Sequence, residues 1–213
     1  MQKVFGGSMT NRSDEKKTAL SIAAAGAPAF NRKKNVDIRL GDGFITVDAH
    51  MADNYHEMEV SLDISIPAMI ITESRGRMIR IPHERCRQAL GVLPRVVGLE
   101  IKRGLTQRME ETIGGKDGCS HLTNLVMEAC HASIQGQYLS LRESFGDLLD
   151  EMTPTERTKW FLTTRPQMVD SCVAYRGDSP LIEEAAQSPV TERITRLTER
   201  IAAVYQGSKD PKA

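Results

Sequence analysis

The stretch GGKDGCSHL places a thiol and an imidazole, Cys119 and His121, two residues apart where a glycine-rich turn leads into a predicted helix. Gly118 is expected to make the turn, because glycine adopts positive φ angles without steric cost. The first turn of a helix carries unpaired N–H groups and the positive end of the helix dipole, which favour a thiolate. A thiolate and an imidazole at this place could bind a metal ion, or act as nucleophile and base.

Of the three further cysteines, two are candidate partners for this pair. Cys130 lies eleven residues after Cys119 on the same predicted helix, which is roughly 16 Å at the rise of an α-helix. Because Cys130 also belongs to an apolar stripe, we expect it to be a buried structural residue. Cys86 and Cys172 lie on other elements and are free to converge on Cys119 and His121. Three thiolates and one imidazole would suit zinc or an iron–sulfur cluster.

Two other interpretations of the same residues remain open. In the first, the protein is a cysteine-dependent enzyme in which Cys119 is a thiolate nucleophile and His121 lies nearby as base. In the second, the cysteines are small core residues of a structural or regulatory interaction protein. The sequence contains no P-loop, no Gly-x-Ser-x-Gly and no His-Glu-x-x-His motif, so no reaction or substrate follows from motifs.

The overall composition limits the partners that we expect. Lys plus Arg and Asp plus Glu each total 28 among 213 residues, so the net charge gives no reason to expect a nucleic acid or an anionic membrane. No run approaches 18 apolar residues, and we expect no membrane-spanning helix. The order of charged and apolar residues over 16–30 is that of a weak targeting segment, but acidic residues precede it. We therefore expect a cytoplasmic protein with reduced thiols.

The first half of the chain has the pattern of a β-sheet. From Met58 to Ile66 every second residue is apolar, which is typical of a strand with one face on a core and one face in water. Similar runs occur at VDIRL, GFITVDAHMAD and AMIITESRG, with short connections between them. An antiparallel sheet of three to four strands is the expected result.

The second half has helical periodicity. Leu105, Met109 and Ile113 recur every four residues, and two glycines follow them as a stop signal. Thr153 or Thr155 is the expected N-cap of a later helix, and residues 168–176 are expected to be extended. The segment SPVTERITRLTERIAAVY predicts an amphipathic C-terminal helix.

These patterns together predict an α+β architecture, with the sheet packed against helices and an amphipathic helix at the C-terminal end. The expected organisation has three parts. Residues 1–34 form a mobile leader because they lack sustained periodicity, residues 35–180 form one α+β domain, and residues 181–213 form the C-terminal helix and tail.

Four sequence elements, in order, also resemble one known family. The elements are RCRQALGVL, VGLEIKRGLTQRMEETIGG, GCSHLTNLV and MVDSCVAYRGDSP. Over residues 36–180 their order and spacing resemble the bacterial family called domain of unknown function 2889. The resemblance implies no activity, but it implies that the cysteines and the histidine of these elements belong to one site: Cys86, Cys119, His121 and Cys172.

The architecture is also similar to that of scaffold proteins for iron–sulfur cluster assembly, in which a small antiparallel sheet precedes a Gly-Cys at a helix start. The shared features are Gly118 and Cys119, with one cysteine before them and another after them. This similarity concerns the fold alone. It leads to the interpretation of a metal-binding or iron–sulfur accessory or assembly factor, which would act with an unknown protein partner.

Overall fold

A four-stranded antiparallel sheet forms the first half of the protein. The computed structural model describes residues 29–207. The strands pair in chain order, as β1 (Arg32–Leu40), β2 (Phe44–Asp53), β3 (Glu57–Ser65) and β4 (Ile70–Arg80). The predicted antiparallel sheet is confirmed, at the upper end of the expected number of strands.

From residue 84 to residue 207 the described chain is mostly helical. A long 3₁₀ segment, Glu84–Val96, follows the sheet. Five α-helices come after it: α1 (Leu105–Ile113), α2 (Ser120–Glu151), α3 (Pro154–Thr164), α4 (Pro180–Gln187) and α5 (Glu192–Gly207). The predicted α+β class and the amphipathic C-terminal helix are confirmed. No helix of the described chain is both long and apolar enough to span a membrane.

One face of the sheet is apolar and packs on α2. The alternating apolar side chains of β3 are almost completely buried, namely Met58, Val60, Leu62 and Ile64. The stripe predicted for α2 is buried against this face, namely Leu122, Leu125, Val126, Ala129 and Cys130. The opposite face carries ion pairs between strands, such as that of Arg77 with Glu59 at 2.8 Å. The alternation of apolar and polar residues in the sequence therefore corresponds to a sheet with one face on the core and one face in solvent.

A second apolar cluster lies where α2, α3 and α5 meet. The backbone of α2 departs from helical geometry at Phe145 (φ −136°, ψ 22°), so the last turns of α2 pack against Trp160 and Leu197 rather than against the sheet. Thr153 caps α3 as predicted, in a capping box with Glu156. Burial of the C-terminal helix against this second cluster, and not against the sheet, is a feature that the sequence did not predict.

Two segments differ from the expected organisation. The predicted leader lies outside the described residues up to position 28, and its last three residues, 32–34, belong to β1 because they pair with 51–53 of β2. Residues 168–176 are not extended. They contain the 3₁₀ turn Val173–Tyr175 and Asp170 in the left-handed region at φ 62°, because this segment finds no strand partner and folds back between α3 and α4.

Candidate functional site

A buried aspartate lies at the turn between β2 and β3. Asp53 ends β2, and its side chain is fully shielded from solvent. Its Oδ1 accepts hydrogen bonds from the backbone N–H groups of Tyr55 (2.8 Å) and His56 (2.7 Å). Its Oδ2 accepts from Nε (3.0 Å) and Nη2 (2.6 Å) of Arg32. Burial by itself would raise the pKa of Asp53, but these hydrogen bonds outweigh it and hold the pKa well below its usual range.

Two histidines lie beside this aspartate. Nδ1 of His56 is 3.2 Å from Oδ1 of Asp53, and the His56 side chain is only 15% exposed. The ring of His121, in the first turn of α2, lies against the His56 ring with 4.0 Å between centroids and 31° between planes. One ligand atom from each of these three residues lies within 4.8 Å of the other two. Among residues 29–207, this Asp53–His56–His121 cluster is the one group of His, Cys, Asp or Glu that meets such a spacing.

The surroundings of His121 favour its neutral form. Partial burial lowers the pKa of His121, the electrostatic influence of His56 and of Arg32 lowers it further, and Asp53 acts in the opposite direction. The neutral imidazole has a nitrogen lone pair that can bind a metal ion or accept a proton. Near neutral pH, His121 is therefore a ready donor to a cation at the cluster.

The loop before α2 fixes where His121 lies. Gly118 does not have the positive φ angle that we expected; its φ is −111°, and the left-handed residue of this loop is Gly115 at φ 70°. Glycine is required at 118 for another reason, since a Cβ atom there would lie 1.8 Å from the carbonyl oxygen of Ile113. Thr123 Oγ1 also donates to that oxygen at 3.3 Å. The close approach of Gly118 to Ile113 and the hydrogen bond of Thr123 therefore hold the start of α2 against the end of α1.

The strand that carries Arg32 is held on both sides of the cluster. The N–H of Asn31 donates to Oδ1 of Asn54 in the β2–β3 turn at 3.1 Å. Nζ of Lys34 donates to Oε1 of Glu128 on α2 at 2.6 Å. The turn, the edge strand and the helix start are therefore tied together around the buried carboxylate of Asp53.

The predicted cysteine ligands lie at three different elements. Cys119 is the N-cap residue of α2 and is half-buried; Cys86, in the 3₁₀ segment, is also half-buried against the core. Cys172 is exposed, immediately before the Val173–Tyr175 turn. Of the predicted site, His121 belongs to the Asp53–His56–His121 cluster and the cysteines do not. Shared coordination of an ion by Cys86, Cys119 and Cys172 stays a prediction.

Cys130 has the structural role that the sequence predicted. Its side chain is fully buried in the core between α2 and the sheet. Burial raises the pKa of the Cys130 thiol to about 12, so the group stays protonated and is neither a good ligand nor a good nucleophile at neutral pH.

Sequence reasoning missed Asp53 and His56, the two residues of the cluster that lie outside the family motifs quoted above. Their signal is local and weak, because Asp-Asn-Tyr-His between two alternating segments is typical of an ordinary turn. This turn differs from others because Arg32 of β1 and His121 of α2 contact it. Neither contact can be derived from the spacing of residues in the sequence.

The fold and the cluster define an α+β protein with a buried carboxylate–imidazole group between a hairpin and a helix start. Residues 30–135 match the model of a family described as protein of unknown function (DUF2889), and the chain belongs to this family. The matched range contains the whole Asp53–His56–His121 cluster and ends before Cys172. No curated protein and no solved structure matches the chain.

Proposed function

We propose that the protein binds one divalent transition-metal ion at the Asp53–His56–His121 cluster, and that zinc fits best. The observation that supports the proposal is the convergence of one carboxylate and two imidazoles within 4.8 Å. Neutral imidazole is a common ligand of zinc and of other late first-row metals. An iron–sulfur cluster prefers thiolates, and is therefore a weaker candidate for this group of residues.

The direct ligands in this proposal are the two imidazoles. Four hydrogen bonds, two from backbone N–H groups to Oδ1 and two from Arg32 to Oδ2, hold the Asp53 carboxylate in a fixed position and weaken it as a direct ligand. Asp53 is therefore better suited to accept the Nδ1–H of His56, at 3.2 Å. Such a bond fixes the tautomer and leaves the Nε2 lone pair of His56 for the metal, as carboxylates commonly do behind metal-binding histidines.

A site of this kind would be open. Two protein ligands leave at least two positions of a tetrahedral ion for water, a substrate or a ligand from a partner protein. Arg32 also places a positive charge beside the cluster, which opposes tight retention of a cation. We therefore propose a site that presents or transfers an ion, in an accessory factor or an enzyme, rather than one that stabilises the fold. Because all four cysteines are free thiols, we place the protein in the reducing cytoplasm.

The test is a zinc titration of the metal-free full chain by isothermal calorimetry, with the bound metal counted by mass spectrometry. We expect one zinc ion per chain, and affinity at least tenfold weaker in His56→Gln and in His121→Gln. His131→Gln is the matched control, because His131 is exposed on the same helix as His121 and should bind zinc as the wild type does.

A second variant separates this proposal from the cysteine site. The triple substitution Cys86→Ser, Cys119→Ser and Cys172→Ser should leave zinc binding at the histidines unchanged. Loss of zinc binding in the triple variant, together with normal zinc binding by His56→Gln, would show that the predicted cysteines and not the histidines bind the metal. If no variant or wild type binds zinc, cobalt or nickel, the proposed metal centre is wrong.

A further inference from the structure

A cavity of about 460 Å³ lies between α2, α3 and the turns that follow α3. It is lined by the second half of α2, away from the first turn that carries His121, and shares no residue with the Asp53–His56–His121 cluster. Most of its wall is apolar or aromatic, from Ile134, Tyr138, Trp160, Phe161, Met168 and Tyr175. Its volume is within the range of small-molecule sites, which are typically apolar with a few polar groups that set the orientation of the ligand.

Two arginines, Arg157 and Arg165, line this otherwise apolar wall, and Arg165 donates to Oε1 of Gln137. Arg157 is half-buried, and its Nη1 donates to the carbonyl oxygen of Leu149 at 3.4 Å. No carboxylate of residues 29–207 forms an ion pair with Arg157. Partial removal of a guanidinium from water is unfavourable unless an acceptor of opposite charge compensates it. The planar guanidinium also matches a carboxylate, which can accept two parallel hydrogen bonds from it.

A buried donor lies in the same wall. Trp160 is only 3% exposed, and its Nε1–H has no acceptor in the described part of the chain. A buried donor without a partner is unfavourable for the folded state. Because Nε1 itself is shielded, the indole contributes an apolar aromatic face to the wall rather than a donor to a ligand.

We propose that the cavity binds a small monocarboxylic acid with an apolar acyl or aryl body. The body would contact the aromatic walls of α2 and α3, and the carboxylate would lie at Arg157. The apolar lining favours a ligand body with few polar atoms, and the guanidinium of Arg157, which has no carboxylate partner among residues 29–207, favours a ligand that carries a negative charge. The proposal does not depend on a metal at the other site.

The single tryptophan of the chain provides a direct readout, because Trp160 lines the cavity. Octanoate is titrated into the full chain while tryptophan fluorescence is followed, and calorimetry measures the same binding independently. 1-Octanol is the matched uncharged probe. We expect saturable binding of octanoate to one site, with an affinity at least tenfold higher than that of 1-octanol.

Arg157→Gln should weaken octanoate binding at least tenfold and leave the affinity for 1-octanol unchanged. Arg142→Gln is the control, because Arg142 pairs with Asp150 outside the cavity and should bind octanoate as the wild type does. Ile134→Glu places a negative charge at an exposed part of the wall, where Ile134 is 49% exposed. Ile134→Glu should also weaken octanoate binding, and it provides a second test if Arg157→Gln does not fold.

Three results would each overturn the proposal. They are the absence of saturable octanoate binding to the wild type, equal affinity for octanoate and 1-octanol, and octanoate affinity that is unchanged in the folded Arg157→Gln or Ile134→Glu variant.

Discussion

The imidazole of His121 lies 4.0 Å from that of His56, so the first turn of α2 and the β2–β3 turn meet through two histidines. Behind His56, the carboxylate of Asp53 joins both the turn and β1. The contact is between rings that are partly removed from water, and an added proton on either ring would place a positive charge next to the other ring and near Arg32. The relationship therefore makes both the stability and the ligand binding of this region depend on pH.

The first prediction concerns His121 and pH. Because its pKa in the folded protein is lower than the usual value, the folded state favours the neutral ring. Its contribution to stability is complete above the unfolded-state pKa of about 6.5 and is lost as pH falls from there through the lower pKa of the folded state. The free energy of unfolding of wild type should therefore decrease between pH 7 and pH 5.5, and His121→Gln should show a smaller decrease. Urea unfolding at several pH values measures both slopes, and equal slopes would contradict the prediction.

The second prediction concerns Gly118. A Cβ atom at this position would overlap the carbonyl oxygen of Ile113 at 1.8 Å, so Gly118→Ala should shift the start of α2 and lower stability by about 3 kcal/mol. It should also weaken zinc binding, because His121 moves with the helix start. Gly91→Ala is the control, since nothing lies within 4 Å of its added Cβ. Thermal unfolding of both variants checks the prediction, which fails if the two have equal melting temperatures.

The sequence predicted the features of the fold that depend on residues close together in the chain. Local periodicity predicted the strand Glu57–Ser65 and the helix Leu105–Ile113, because each element is specified by side chains that face the core at a fixed period. Thr153 was recognisable as a cap for the same reason, since its partner is only three residues away. Prediction failed over residues 168–176, where the few β-branched residues find no strand partner.

The candidate site was only partly predictable because its parts are distant in sequence. His121 was found from its place after a glycine-rich turn. Asp53 and His56 were not, because the residues that make them unusual, Arg32 and His121, come from β1 and α2. At Gly118 the residue type was informative but the reason was different, since close approach to Ile113 and not a positive φ angle requires glycine.

The third prediction concerns the reactivity of the thiols. Cys172 is exposed, Cys86 and Cys119 are half-buried, and Cys130 is buried with a raised pKa. Iodoacetamide at neutral pH should therefore label Cys172 first and leave Cys130 unlabelled until the protein unfolds. Peptide mass spectrometry over time gives the order. Labelling of Cys119 before Cys172 would instead support the interpretation of Cys119 as a thiolate nucleophile.

The fourth prediction concerns acid stability of the C-terminal helices. The backbone N–H of Thr153, Arg193 and the hydroxyl of Thr191 all donate to Glu156, and they lower its pKa from 4.5 to about 2. Its contribution to stability is present above pH 4.5 and is lost as pH falls toward 2. Glu156→Gln should be less stable than wild type at pH 7, with a difference that decreases below pH 4.5.

Urea unfolding across this pH range measures the difference for Glu156→Gln. Glu199→Gln is a suitable control, because Glu199 is exposed on α5 and should not alter the profile. A difference between Glu156→Gln and wild type that is the same at pH 7 and pH 3 would show that the charge of Glu156 contributes nothing.

The fifth prediction concerns the charge beside the proposed metal. Arg32 donates two hydrogen bonds to Oδ2 of Asp53, so it both stabilises the buried carboxylate and repels a cation bound at the histidines. Arg32→Gln should lower the free energy of unfolding by about 2 kcal/mol, because the carboxylate loses a charged donor. The same change should raise zinc affinity about fivefold, equal to about 1 kcal/mol, because one positive charge is removed from the vicinity of the ion.

Arg39→Gln is the matched control for this change, since Arg39 lies on the same strand and pairs with Asp48, on the sheet face opposite Asp53. It should alter neither zinc affinity nor the pH profile of binding. The two readouts of Arg32→Gln, chemical unfolding and zinc calorimetry, are expected to change in opposite directions, which a general loss of structure would not produce. Weaker zinc binding by a folded Arg32→Gln protein would show that Arg32 is needed to hold Asp53 and His56 in place, and that its charge is not the dominant effect.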